Sequence, residues 1–405
     1  MENTNDLFLP LHISDENRYM RCVEEKTQYF VSQFEQLYNI NRLSKYHSKI
    51  RQAIESIHKQ LNDIKGIFAL LLRGDVANAQ AKMSILLASH KDVLITTINK
   101  STAFCGEPFI RTTEGLLDNL YLFRGRSVLP YQTFSRSEML HIPLNQRGIV
   151  SSYRFSIPGV PCIYLSSNSY TVWSELSRPD LKCLCISSFC LSDYLLNQQI
   201  IDLTLPIYEY YEILTSEKLK IEEYEEECNY LIDCMAVLPL IIACSVVCDN
   251  SVKRSFIVEY AFPQLLMQFL ADNLIGIAYR SNRIGGGRLP ANNLAIPIRS
   301  FEEGQKYGKI TEWISVSDAL NIGYFSDFIV NNSSISAINK SAKGPSSKRM
   351  GQSFSLKLRE AESTFNKQLS GFLFANSYDG LIQYKDSLFY KFDEYLLFLN
   401  ELKKI

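Results

Sequence analysis

Between about Leu116 and Arg299 the chain reads as short runs of β-branched and aromatic residues set off by turn residues: "LYLFRGR", "CIYLS", "LKCLCISSF", "QIIDLT", "PLIIACSVVC" and "IGIAYRS". Helical patterns interrupt them, notably the acidic "SEKLKIEEYEEECNYLIDCMAVL" and "FPQLLMQFLADN". Strands so short and so unevenly spaced do not give the regular alternation of a doubly wound parallel sheet, and the pattern predicts an α+β fold. The acidic run 222–227 reads as a solvated helix face.

Upstream the texture is different. "VEEKTQYFVSQFEQLYNINRL" and "SKIRQAIESIHKQLNDIKGIFALLLRG" repeat apolar residues every three or four positions, and Gly74-Asp75 offers a helix stop and a fresh N-cap before "VANAQAKMSILLASH". Downstream, "NNSSISAINKSAKGPSSKRMGQS" (Asn331 to Ser353) is poor in large apolar side chains and reads as a polar loop, after which helical spacing returns. The expected organisation is a helical N-terminal module (1–114), an α+β domain (115–330), a flexible polar loop (331–353) and a helical C-terminal segment (354–405).

Composition narrows the chemistry. With 46% hydrophobic and 21% charged residues the chain can bury a large core, and 42 basic against 43 acidic residues leave no global field for nucleic acid or an anionic membrane. An anionic ligand would need a few placed cations. The early acids of "MENTNDLFLPLHISDENRYM" do not make a secretion signal, and "MAVLPLIIACSVVC" is shorter than the about 20 residues that span a bilayer, so the reading is cytoplasmic. Ten cysteines without CxxC spacing read as small buried hydrophobes rather than a disulfide framework. The five histidines, at 12, 47, 58, 90 and 141, form neither HExxH nor HxxxH, and no metal site is expected. No GxSxG elbow and no P-loop occurs.

The residues that could carry chemistry come in a definite order. Arg124 and Arg126 of "YLFRGR" stand two apart, so in a strand both point to one face, where two guanidiniums either fork onto a diphosphate or make ion pairs. Arg147 and Arg154 follow. Tyr164, in the apolar "CIYLS", is a core ring or one wall of a slot for a flat heterocycle. Glu175, in the helix that starts after Ser166-Ser167-Asn168, is a solvated helix acid or a carboxylate at a pocket edge. In the second role it could stabilise an oxocarbenium-like transition state. It lacks the second acid of an ordinary glycosidase, which favours a substrate whose leaving group is already cationic. Ser281 ends a further strand before Gly285-Gly286-Gly287, as a turn serine or a single hydrogen-bonding hydroxyl for a nucleotide. His141, in "LHIPLN", is a lone histidine that reads as structural.

Taken together, "LFRGR…HIP…RFSIPGVPCIYLSSNSYTVWSEL…IIDLT" and "EYAFPQLLMQFLADNLIGIAYRS" resemble the two halves of the RES domain, a family named for its Arg, Glu and Ser. The resemblance covers about 115 to 300, under half of the chain. It implies an ADP-ribosyltransferase-like core of short strands with flanking helices, and an intracellular toxin that takes NAD⁺ as substrate. It carries the catalytic roles onto Arg124, Glu175 and Ser281, and NAD⁺ binding onto Arg124, Arg126, Arg154, Tyr164 and Ser281. The implied reaction is hydrolysis or phosphorolysis of the nicotinamide–ribose bond. The alternatives are ADP-ribosyl transfer to a protein acceptor and a non-catalytic nucleotide-binding module. An antitoxin or immunity protein is the partner the family implies, and oligomeric state stays open. The helical N-terminal module and helical tail lie outside the resemblance.

Overall fold

A computed structural model of the protein describes residues 9–101, 103–104, 120–216, 225–248, 256–270, 274–284, 291–299, 304–331, 384 and 387–401. The polar stretch 332–353, most of the tail and the Gly285-Gly286-Gly287 turn lie outside the described residues. The strands are β1 (Leu11–Ile13), β2 (Ile95–Thr97), β3 (Tyr121–Ser127), β4 (Cys162–Ser166), β5 (Leu184–Leu191) and β6 (Gln199–Asp202). They continue with β7 (Val246–Cys248), β8 (Leu274–Arg280), β9 (Asn292–Pro297), β10 (Ile314–Val316) and β11 (Leu320–Asn321). The longer helices are α1 (Tyr19–Glu35), α2 (His47–Leu72), α3 (Val76–Ser89), α4 (Ser169–Glu175) and α5 (Ile207–Thr215). After them come α6 (Glu225–Met235), α7 (Leu238–Ser245), α8 (Ala261–Met267), α9 (Ile322–Asn331) and α10 (Leu388–Glu401). The mixture of helix and short strands is the expected α+β class.

The chain divides into two compact units, and the expected 115–330 stretch is shared between them. Unit 1 takes residues 1–96, 152–157 and 199–278. Its spine is α2, whose Ile50, Ile54, Ile57, Leu61, Ile64 and Ile67 recur at three- and four-residue spacing and are all buried. Gly74, at φ +75°, stops α2, and the Asp75 side chain accepts the Asn78 N–H at the start of α3, as the sequence predicts.

"PLIIACSVVC" departs from expectation. Leu238 to Ser245 form helix α7, and only Val246–Cys248 are strand, paired in parallel with β1. Pro239 sits in the first turn of α7, where it loses no hydrogen bond, and Gln60 Oε1 accepts the Leu240 N–H. Leu238 to Cys244 are all buried, so no period distinguishes this helix from a strand. Among the described residues no single helix is long and apolar enough to cross a membrane.

Unit 2 takes residues 97–151, 158–198 and 279–405. Its sheet runs in the order β10-β5-β3-β4-β9, all antiparallel, with β11 also on β5. Every residue of β5 is buried, which takes a cover on both faces. One cover is α10: Phe389, Phe392 and Leu396 join Phe123, Ile186 and Tyr170 in a single apolar cluster. Each such side chain contributes about 1.5–3 kcal/mol by leaving water. Ser188 Oγ donates to Leu396 O, and Asn400 Nδ2 donates to Ser188 O, so the polar groups trapped under α10 satisfy one another.

Candidate active site

β3 is paired with β5 along its whole length, seven residues from Tyr121↔Cys190 to Ser127↔Leu184. Its other edge meets β4 at one position, Phe123↔Ser166. β4 itself is paired with β9 over five residues, from Cys162↔Pro297 to Ser166↔Asn293. The sheet therefore opens beyond Phe123: Arg124, Gly125 and Arg126 line one lip, and Cys162 to Leu165 the other. Gly125 fits this place because a Cβ there would overlap Val172 Cγ1 of α4. That close approach of helix to strand fixes α4 on the face of β3 that Gly125 presents.

Glu175 is the last residue of α4, a helix of seven residues fixed at both ends. At its start Asn168 Oδ1 accepts the Thr171 N–H (2.7 Å) and hydroxyl (2.8 Å), and Asp393 of α10 accepts the Ser169 N–H (3.1 Å). Asp393 is fully buried and also accepts the Tyr384 hydroxyl; burial pushes its carboxyl up to about 7 against the pull of those hydrogen bonds. At the other end Ser177 and Arg178 take left-handed φ values of 64° and 54°, which L residues adopt at a cost. They are held there by the Arg178 N–H to Trp173 O bond (2.9 Å) and by Trp173 Nε1 to Pro179 O (2.8 Å).

The Glu175 carboxylate is half-buried, and its Oε1 accepts Asn293 Nδ2 at 2.7 Å. Asn293 Oδ1 in turn accepts the Ser166 hydroxyl at 2.6 Å. Ser166 is the residue at which β4 last touches β3, so the closed end of the opening and the support of Glu175 are one place.

Arg124 is half-buried and reaches across the gap, its Nη1 lying 3.5 Å from Tyr164 O. Its charge falls on two neighbours. His141 is buried, and burial holds its pKa below the ordinary value with Arg124 adding to the effect. The ring accepts the Gly308 N–H on Nε2 (3.0 Å), which leaves Nδ1 to donate to Ile142 O (2.7 Å): a neutral, structural histidine. Burial pushes the Cys162 thiol up to about 12, although Tyr164 and Arg124 pull it down, so it is no nucleophile near neutral pH.

The remaining predicted site residues have partners of their own. Arg126 is exposed, with Nη1 donating to Glu138 O (2.7 Å) and the guanidinium 4.3 Å from the Phe134 ring centroid, so the two strand arginines end on different anchors. Arg154 belongs to unit 1, where Nη1 donates to the carbonyls of Val246 (2.7 Å), Cys244 (3.2 Å) and Glu259 (3.3 Å). Ser281 is buried in unit 2; its N–H donates to Ala291 O (2.6 Å) and its Oγ accepts the Arg283 N–H (3.2 Å). The main-chain bond to Ala291 O fixes the chain two residues before Asn293.

Sequence reasoning missed Asn293, Ser166 and Asp393. The signal available for the first was a pair of amides, Asn292 and Asn293, leading the apolar run of "NNLAIPI", all of it buried. All nine described cysteines are free thiols, and no group of three His, Cys, Asp or Glu that could hold a metal occurs among the described residues.

The chain has a toxin-named relative. It is 30% identical over 202 residues to the Bacillus subtilis (strain 168) protein named "Putative toxin YopC". The match takes in 46% of this chain and 43% of that protein, so the chain spans less than half the length of this relative. No protein-family model matches the chain, and no solved structure does.

Proposed function

We propose that the chain is a toxin-type enzyme that binds NAD⁺ and breaks its nicotinamide–ribose bond, with water or phosphate as acceptor. The observation that carries this reading is the opened β3–β4 seam, with Arg124 at its mouth and Glu175 held at its closed end through Asn293 and Ser166. The resemblance to the RES domain and the toxin-named relative support it from the sequence side.

NAD⁺ suits such a place. Its diphosphate calls for a fixed cation, which Arg124 supplies, and its flat nicotinamide calls for an apolar wall, for which Tyr164 is suited. When the C1′–N bond breaks, its electron pair passes to the pyridinium nitrogen and nicotinamide leaves neutral, so no general acid is needed. The ribose carries the positive charge that develops, and the Glu175 carboxylate stabilises it directly or through a ribose hydroxyl. Water or phosphate then bonds to C1′; the water route releases one proton. In this reading Ser281 positions the strand that bears Asn293.

The test is release of nicotinamide from NAD⁺ by the purified protein, with and without phosphate. Release that Glu175→Gln abolishes is expected. No release under either condition or in cell extract would overturn the reading, and label from adenylate-labelled NAD⁺ on a protein band would redirect it to ADP-ribosyl transfer.

A further inference from the structure

We propose that Asn293, oriented by Ser166, is a positioning residue that holds the Glu175 carboxylate in its working orientation; this rests on the NAD⁺-cleaving reading and deepens it. The two residues face each other across the β4–β9 ladder, and Ser166 is also the pairing partner of Phe123 on β3. Three strands therefore fix where the Asn293 amide sits. Both side chains are buried, Asn293 2% and Ser166 7% exposed, so their hydrogen bonds act in a low-dielectric setting.

The chain of donors has one direction. Ser166 Oγ–H donates to Asn293 Oδ1, and Asn293 Nδ2–H donates to Glu175 Oε1. A flipped amide would set its oxygen against the carboxylate, acceptor against acceptor, so the carboxylate itself selects the flip and Ser166 completes it. A polar network built only for the fold would close on buried groups. This one ends on the half-buried carboxylate at the open seam.

Among the described side chains, the charged groups on the elements packed against α4 are Arg124 and Arg126 of β3 and Lys391, Asp393 and Glu394 of α10. None of them lies on β4 or β9, so a carboxylate placed at 293 would be a new charge on that side.

The experiment measures steady-state nicotinamide release from NAD⁺ by the full chain and three variants whose folding is checked by thermal melting. Asn293→Ala is expected to lower kcat by about 10- to 10²-fold with KM within about twofold, the size of effect a slight misplacement produces. Wild-type kcat, or a change confined to KM, overturns the proposal.

Asn293→Asp sets two carboxylates face to face that cannot both ionise, so the acid limb of the kcat–pH profile is expected to move up by about one pH unit or more. An unmoved limb overturns it. Should neither variant fold, Ser166→Ala removes the hydroxyl alone, with a loss in kcat of about 2- to 10-fold expected for one hydrogen bond and wild-type kcat overturning the claim.

If the wild-type chain releases no nicotinamide, the NAD⁺ reading falls by itself. The positioning claim is then decided by the crystal structure of the Asn293→Ala variant: the Glu175 side chain is expected to leave the position it holds in the wild type, and an unmoved carboxylate overturns the claim.

Discussion

β3 treats its two neighbours differently. Along β5 seven consecutive residues pair, while along β4 a single pair forms before the strands part. The closed seam carries the fold: β5 is buried throughout and α10 seals one of its faces. The open seam leaves main-chain groups that need other partners, and for one of them, Tyr164 O, Arg124 Nη1 lies at 3.5 Å. The candidate site lies where the sheet forgoes its own hydrogen bonds, and the buried core where it does not.

That contrast can be broken by substitution. The largest effect belongs to the open seam: Glu175→Gln is expected to lower kcat for nicotinamide release by about 10²- to 10³-fold, the usual loss when one electrostatic contact to a transition state goes, with the melting temperature unchanged. Arg124→Ala, read by the same assay, should raise KM by about 10- to 10²-fold, the range of a charge-assisted hydrogen bond. Gly125→Val forces α4 away from β3 and should reduce stability in urea unfolding by about 1–3 kcal/mol, with a loss of activity that follows the displaced Glu175.

Asp393 sharpens the other side of the comparison. Its carboxyl is held at about 7 in the fold against an ordinary 3.8, so between those values the folded state binds the extra proton. The stability it contributes is therefore full below about pH 4 and is lost as pH rises through about 7. Melting temperatures measured across that window should fall with rising pH in the wild type, and Asp393→Asn, which mimics the protonated acid, should flatten the slope. The smallest effect is that of Arg126→Ala: with its guanidinium on Glu138 O and Phe134, KM should change less than about twofold, within the reach of an exposed side chain.

Local chemistry was legible in the sequence where it acts locally. "YLFRGR" and "CIYLS" read as strands, Gly74-Asp75 as a stop and a cap, and the helix bearing Glu175 begins after Asn168 as expected. What could not be read depends on partners far along the chain. Asn293 lies 118 residues from the carboxylate it holds, and Asp393 lies 224 from the Ser169 N–H that it accepts. The helix α7 was hidden because a uniformly apolar run has no period to read. Arg124 and Arg126 share a strand face by simple alternation, yet their long side chains end on different anchors, which strand geometry alone does not specify.

The most direct measurement is a crystal structure of the Glu175→Gln variant soaked with NAD⁺. The dinucleotide is expected in the β3–β4 opening, its diphosphate within hydrogen-bonding distance of Arg124 and its nicotinamide ribose against the side chain at 175. NAD⁺ bound elsewhere on the chain, with that opening empty, would contradict it.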